Sequence, residues 1–108
     1  MDESTFEHLA DETFRRIEDA FKDIDADDVE CERAGDVMTL TFRDGKRCVV
    51  NTQRPTRQLW LAANARAWHF SYDDAQKKWL DDKQHRVELF EQIARTVKEA
   101  AGLDVQVV

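Results

Sequence analysis

The order of hydrophobic periods along the chain is the feature that most restricts its fold. Two segments, 6–24 and 87–101, have apolar residues at every third or fourth position, which predicts amphipathic helices. Between them, short apolar runs alternate with polar residues and predict β-strands. This order predicts an α+β fold, a two-layer α-β sandwich whose two terminal helices pack on one face of an antiparallel sheet.

Six short segments between the helices have the strand pattern. They are residues 29–33, 37–42, 47–52, 58–63, 67–72 and 78–81. Asp44-Gly45 is a hairpin signal between the second and third segments, and Pro55 interrupts the chain before the fourth. No repeat or linker is visible in the 108 residues, so we expect a single domain over residues 1–108.

The helix ends carry their own signals. Ser4 or Thr5 is suited to cap the first helix, with Glu7 in capping-box position relative to Ser4. An aspartate-rich run over residues 23–28 is expected to end that helix. Gly102 is placed to end the second one.

Charge is distributed unevenly along the chain. The net charge is −7, but residues 1–32 hold thirteen acidic and three basic residues, a local charge of −10, and the remainder carries +3. Phosphates would be repelled by the acidic third, so we expect no nucleic-acid partner. The asymmetry favours cations or a basic protein.

Several other classes of protein find no support. No apolar run approaches the roughly 18 residues of a membrane helix, so we expect no membrane partner. The acidic start lacks the features of an export signal, and a cytoplasmic location is the default. Phosphate-binding loops, zinc-protease motifs and nucleophile elbows are absent, so we expect no enzyme.

Carboxylates cluster where the first helix passes into the first strand. The residues are Asp19, Asp23, Asp25, Asp27, Asp28, Glu30 and Glu32. Mutual repulsion among them would be relieved by a hard cation such as Fe²⁺, Fe³⁺, Mn²⁺, Ca²⁺ or Mg²⁺, which prefers oxygen ligands. Such a site would be shallow and weak. The alternative is a solubilising helix face followed by an acidic turn.

A second candidate surface surrounds Trp60. Alternation places Leu59 and Leu61 on one face of a strand and Trp60 on the other, so Trp60 faces the open side of the sheet if the leucines face the helices. Exposed tryptophans are favoured interface anchors. The alternative is a buried Trp60 with the leucines outward. Flanking residues of the candidate surface are Asn51 and Gln53, with a basic rim of Arg54, Arg57 and Arg66.

Neither the histidines nor the cysteines have the spacing of a metal site. The sequence favours ordinary surface or structural roles for His8, His69, His85, Cys31 and Cys48. With no export signal, the two cysteines are expected to be reduced.

At this point the chain resembles the bacterial frataxin family of iron-donor proteins. The most specific part is the segment from Val50 to Ala62, with its Asn-x-Gln-x-Pro-x-x-x-x-Trp pattern. The acidic first helix, the acidic entry into the first strand, His69-Phe70 and Trp79 continue the resemblance in order. It departs from the family at Arg66-Ala67, where two glycines are common, and at residues 83–85, where a Ser-Gly turn is usual.

The resemblance implies a frataxin fold and a role in iron–sulfur cluster assembly. It implies weak binding of iron (Fe²⁺ or Fe³⁺), for which other divalent cations can substitute, and docking on a cysteine desulfurase, with the assembly scaffold as a further partner. A monomer with iron-dependent oligomers is expected. The implied acidic ridge is Glu18, Asp19, Asp23, Asp25, Asp27, Asp28, Glu30 and Glu32, and the implied partner surface is Asn51, Gln53 and Trp60.

Three functions compete at this stage. The first is a non-enzymatic iron-binding donor or regulator of the desulfurase. The second is an acidic interaction adaptor that docks on a basic partner without needing metal. A ferroxidase is the third, but the sequence shows no carboxylate–histidine cage to support it.

Overall fold

Two helices pack on one face of a six-stranded sheet in the computed structural model, which describes residues 1–83 and 87–108. The elements are α1 (Glu3–Phe21), β1 (Val29–Ala34), β2 (Val37–Phe42), β3 (Arg47–Gln53), β4 (Gln58–Ala63), β5 (Arg66–Asp73), β6 (Lys78–Asp81) and α2 (Leu89–Ala101). The sheet order is β1-β2-β3-β4-β5-β6, and every neighbouring pair is antiparallel. This confirms the predicted fold class. His85 and the centre of the 83–85 turn lie outside the described residues.

One face of the sheet is buried. Alternate residues of the inner strands, such as Met38 and Leu40 in β2 or Leu59 and Leu61 in β4, are fully buried, because that face is covered by both helices. The helices contribute the other half of the same core. Their buried apolar residues are Phe6, Ala10, Phe14, Ile17, Phe21, Leu89, Ile93 and Val97.

Helix α1 contacts both edge strands of the sheet. At β6, the indole Nε1 of Trp79 donates a hydrogen bond of 3.0 Å to Thr13 Oγ1, and Phe6 packs edge-on against the Trp79 ring. At β1, the guanidinium of Arg33 lies 4.8 Å from the centre of the Phe14 ring. These contacts fix the helix relative to β1, and therefore fix where its acidic residues lie.

The start of α1 differs from the prediction. Asp2 is the N-cap, and its carboxylate accepts a 2.8 Å hydrogen bond from the Thr5 backbone N–H. Neither Ser4 nor Thr5 performs that role, because the helix begins at Glu3, one residue before the expected cap. Asp2 satisfies the same requirement for an oxygen at the N-cap.

The C-terminal ends are closer to expectation. Helix α1 ends at Phe21, just before the aspartate-rich run. Gly102 follows α2 in the left-handed conformation, with φ of 70°, and its N–H bonds to the carbonyl of Lys98. Beyond it, Val107 is buried in the core. Neither described helix has a stretch long and apolar enough to cross a bilayer.

The uncovered face of the sheet carries Trp60, as the alternation predicts when the two leucines face the helices. Trp60 is half-buried rather than exposed, because the His69 ring stacks on it with centroids 4.0 Å apart and planes 12° apart. The alternative with Trp60 in the core and the leucines outward is wrong, since Leu59 and Leu61 have no exposed surface.

The two environments predict different costs of truncation. Trp60→Ala removes a stacked pair on an open face and is expected to lower the free energy of unfolding by about 1–2 kcal/mol. Trp79→Ala opens a core cavity and removes one of the two hydrogen bonds of the Thr13 hydroxyl, and is expected to lower the free energy of unfolding by about 3–5 kcal/mol. Urea unfolding of both variants measures the difference. Equal losses would contradict the placement of Trp60 on the open face.

Candidate metal and partner site

The segment between α1 and β1 is a tight acidic turn. The carbonyl of Asp25 accepts hydrogen bonds from the backbone N–H groups of Asp28 (2.9 Å) and Val29 (3.1 Å). The carboxylate of the same aspartate accepts one from Asp27 N–H at 2.9 Å. Asp25 therefore organises the turn that returns the chain from the helix to the edge strand.

The end of α1 and the start of β1 form a shallow depression of about 400 Å³. Three of the predicted ridge residues, Glu18, Asp19 and Glu30, line it together with Lys22 and Cys31. The other five do not line this depression: Asp23, Asp25, Asp27, Asp28 and Glu32. The structure thus brings the helix and strand carboxylates together at one edge, but spreads them along it.

Repulsion is clearest at the first strand. Glu30 and Glu32 lie two positions apart on the open face of β1, opposite Thr41 and Thr39 of β2. A hydrogen bond to the Glu32 carboxyl, together with repulsion from its charge, raises the pKa of Glu30 above its ordinary value. The two carboxyl groups are therefore close enough for Glu30 to retain its proton to a higher pH than an isolated glutamate.

Two arginines neutralise part of the ridge. Arg43, in the β2–β3 turn, forms an ion pair of 2.6 Å with Asp28. Asp28 is the main cause of the raised pKa of Arg43, and the charges of Asp27 and Asp25 add to it. Arg33 lies 3.9 Å from Glu18 and 2.9 Å from Asp11.

The remaining carboxylates of the ridge form no ion pair with an arginine or lysine among the described residues. Over residues 1–83 and 87–108, no ion pair is formed by Asp19, Asp23, Asp25, Asp27, Glu30 or Glu32. Negative charge at this edge therefore exceeds its internal counter-charge.

No ready-made metal cage exists in the described part of the chain. Within those residues, no group of three or more histidine, cysteine, aspartate or glutamate side chains is arranged to hold an ion. A cation at the ridge would be held by one or two carboxylates and by water, or would draw the side chains together. Cys31 is a poor ligand, since burial and the Glu18 charge raise the pKa of its thiol to about 11.

The open face presents a polar strip centred on Trp60. Asn51 of β3 and His69 of β5 are the direct cross-strand neighbours of Trp60, and Gln53 pairs with Gln58. The indole Nε1 donates a 2.9 Å hydrogen bond to Gln58 Oε1. Asn51, Gln53 and Trp60 therefore share one surface, as their positions predict.

Two members of this strip, Gln58 and Asp82, were not predicted from the sequence. Gln58 also donates to Ser71 Oγ (3.1 Å) and to Asp82 Oδ2 (3.2 Å), while His69 Nδ1 lies 4.0 Å from the same Asp82 oxygen. Gln58 lies two positions before Trp60 in the same strand, so the alternation of side chains could have placed it on the same face. Asp82 lies beyond the end of β6, so no strand alternation could place it.

Arg66 does not lie beside Trp60, and its predicted place on the rim is wrong. Arg66 pairs with Ala63 and faces the helix side of the sheet, where its guanidinium is 4.8 Å from the centre of the Trp68 ring. The strand begins one residue earlier than predicted, and this brings Arg66 into the alternation. Arg54 is also engaged elsewhere, in ion pairs with Glu7 and Asp36.

The sequence of this chain is similar to those of known proteins. Residues 1–103 match the family model described as a frataxin-like domain. The chain belongs to the frataxin family. This confirms the resemblance that the sequence motifs carry.

Bacterial frataxins are the most informative relatives. The chain is 38% identical over 104 residues to the iron-sulfur cluster assembly protein CyaY of Pseudomonas fluorescens (strain Pf0-1), covering 96% of this chain and 93% of that protein. It is also 38% identical over 106 residues to CyaY of Pseudomonas aeruginosa, covering 98% and 96% of the two chains.

Solved frataxin structures share the fold. Frataxin from Psychromonas ingrahamii superposes with a TM-score of 0.90 at 27% identity, over 100% of this chain and 99% of that one. Trimeric yeast frataxin (Saccharomyces cerevisiae), complexed with ferrous, superposes with a TM-score of 0.62 at 22% identity, over 95% and 88%. The yeast comparison shows the common fold alone.

The crowded glutamate pair gives a pH-dependent prediction. The raised pKa means that the folded state favours protonated Glu30, so this contribution to stability is present at low pH and lost as pH rises through that pKa. Glu32→Gln is therefore expected to raise the melting temperature at pH 7. The gain should disappear below about pH 4, where carboxyls of ordinary pKa are protonated.

Thermal unfolding at several pH values measures this effect. Asp74→Asn, at an exposed turn position without an ion pair in the described residues, is the control for loss of one negative charge. An equal gain in both variants would mean that net charge, and not the glutamate pair, is responsible.

Proposed function

We propose that this frataxin takes part in iron–sulfur cluster assembly as a non-catalytic iron-binding protein. In this role it donates iron, regulates the cysteine desulfurase, or does both, in the cytoplasm. The observation that carries the proposal is the excess of carboxylates over arginines along the α1–β1 edge. The relatives named iron-sulfur cluster assembly proteins support the process.

Iron suits the ridge because Fe²⁺ and Fe³⁺ accept carboxylate and water oxygens. Without a three-ligand cage in the described residues, affinity is expected to be weak, and other divalent cations should compete. Weak binding fits a protein that must release its cargo. The protein is expected to be a monomer that forms oligomers when iron bridges the ridges of different copies.

The same edge can dock on a positively charged desulfurase surface. Exposed carboxylates steer a basic partner and fix its orientation. The Trp60 strip on the open face provides a second surface, for which the assembly scaffold is the expected partner. Its half-buried aromatic ring, flanked by Asn51 and Gln53, is typical of an interface anchor.

A second candidate is an acidic adaptor that needs no metal. The specific observation in its favour is that Arg43 and Arg33 already supply part of the counter-charge that a metal would supply. In this case the basic surface of the partner provides the rest.

One pair of variants separates these functions. The ridge variant combines Asp19→Lys, Asp23→Lys and Glu30→Lys. The control combines Glu3→Lys, Asp74→Lys and Glu99→Lys, which changes the net charge equally at exposed positions away from the ridge. Both are compared with the unmodified protein after circular dichroism confirms folding.

Anaerobic Fe²⁺ titration followed by amide NMR reports on metal binding. We expect the signals of residues 18–32 to broaden first in the unmodified protein and in the control. In the ridge variant, the same signals should broaden only at an Fe²⁺ concentration at least tenfold higher. Uniform broadening along the chain would contradict iron binding at the ridge.

Capture of the purified desulfurase, with and without Fe²⁺, reports on docking. Loss of capture by the ridge variant alone, in both conditions, together with no localised broadening, supports the adaptor. If the ridge variant and the control bind the desulfurase equally, docking through the ridge is wrong.

A further inference from the structure

A polar cavity of about 350 Å³ lies between α2 and the β4–β5 turn. It opens beside β5 and β6, whereas the acidic ridge lies at β1, on the opposite edge of the sheet. Neither the ridge nor the Trp60 strip uses it. Its size is within the range of small-molecule sites and exceeds the volume of about ten water molecules.

The inner wall of this cavity is built from buried polar groups. Gln92 and Thr96 are one turn apart on α2, are 6% and 2% exposed, and are linked by a 3.2 Å hydrogen bond from Gln92 Nε2 to Thr96 Oγ1. Trp68, only 8% exposed, forms an aromatic wall. Their mutual hydrogen bond uses one amide proton and one hydroxyl lone pair, which leaves further donors and acceptors of these two groups for a ligand in the cavity that they line.

Three cations surround the cavity. Arg66, Lys83 and Arg95 all line it, and none of them forms an ion pair with the residues described in the structure. Other arginines of this acidic chain, Arg33 and Arg54 among them, are paired with carboxylates. Asp81 and Glu99 also line the cavity, so its wall has a net charge of about +1 in a protein of net charge −7.

Arg66 is already partly positioned for binding. Its guanidinium lies over the Trp68 ring at 4.8 Å, which restricts the side chain and leaves the planar group's N–H donors available. Arg95 extends from α2 on the facing wall. Two guanidinium groups on facing walls are suited to a ligand with two separated carboxylate or phosphate groups.

We propose that the cavity lined by Arg66, Arg95 and Lys83 binds a small organic anion with two or more carboxylate or phosphate groups. The guanidinium groups bind the anionic ends, and Gln92 and Thr96 form hydrogen bonds with its polar interior. Glu99 favours a ligand that also carries a hydroxyl donor. The site is independent of iron and of the ridge.

The test uses the metal-free protein and two probes at matched ionic strength, tricarballylate for carboxylates and fructose 1,6-bisphosphate for phosphates. We expect saturable amide NMR shifts confined to residues 64–68 and 92–99 with at least one probe. The probe that saturates identifies the class of anion. Adding sodium chloride alone to the same ionic strength should leave these signals unchanged.

Variants distinguish the cavity from general attraction of anions. Arg66→Gln combined with Arg95→Gln should weaken binding about tenfold or more, since two charge-assisted contacts are lost. Arg95→Gln alone keeps the Arg66–Trp68 contact, so a weakening by this variant cannot come from misfolding at Trp68. Lys46→Gln, in the exposed β2–β3 turn, is the matched control and should bind as the unmodified protein does.

Two results would overturn the proposal. One is the absence of saturable shifts with both probes up to about 10 mM, the weak end of the usual affinity scale. The other is a set of shifts that is equal in the Lys46 and Arg95 variants and distributed over all basic residues.

Discussion

Burial of a single face of the sheet under two helices determines where the polar side chains of this protein lie. The apolar side chains of the strands are buried in the core, so the side chains at the alternate positions face outward. Trp60, Asn51 and Gln53 share the open face for this reason, and Glu30 and Glu32 share it at the far end. The helices have the same constraint, since the apolar stripe of α1 leaves its carboxylates beside β1. The two candidate surfaces therefore both follow from the burial of one face of the sheet.

Charge at the edge strand also has a structural effect. An edge strand presents unpaired backbone groups that can pair with another chain, and charged side chains prevent this. The carboxylates of β1 are suited to that role, and the Glu32 carboxyl raises the pKa of Glu30 through a hydrogen bond and through the repulsion of its charge. Arg43 and Arg33 offset part of the repulsion from the neighbouring turn and from β1 itself. What remains is available to a cation or to a basic protein.

The fold was predictable from the sequence because the helix and strand periods are long and regular. The strand at residues 37–42 and those at 58–63 and 78–81 have the predicted bounds, since turn residues delimit them. The cap of α1 was not predictable from its pattern, because Asp2, Ser4 and Thr5 are all competent caps and the choice depends on where the first turn forms. The alternation of side chains along a strand correctly placed Trp60 on the open face. The same alternation places Arg66 on the helix side, because β5 begins at Arg66, one residue earlier than predicted. Contacts that depend on tertiary packing, such as Arg43 with Asp28 and His69 over Trp60, had no local signal.

Carboxylates at the α1–β1 edge outnumber their internal counter-ions among the described residues and repel one another. The most direct measurement is the melting temperature of the metal-free protein against ionic strength, for the unmodified chain and for Asp23→Asn. Salt screens charges over a distance of about 10 Å at 0.1 M, so repulsion should be strongest in dilute buffer. We expect Asp23→Asn to melt at a higher temperature than the unmodified protein at low salt, and the difference to vanish as salt is added. A variant that melts at the same or a lower temperature in dilute buffer would contradict this expectation.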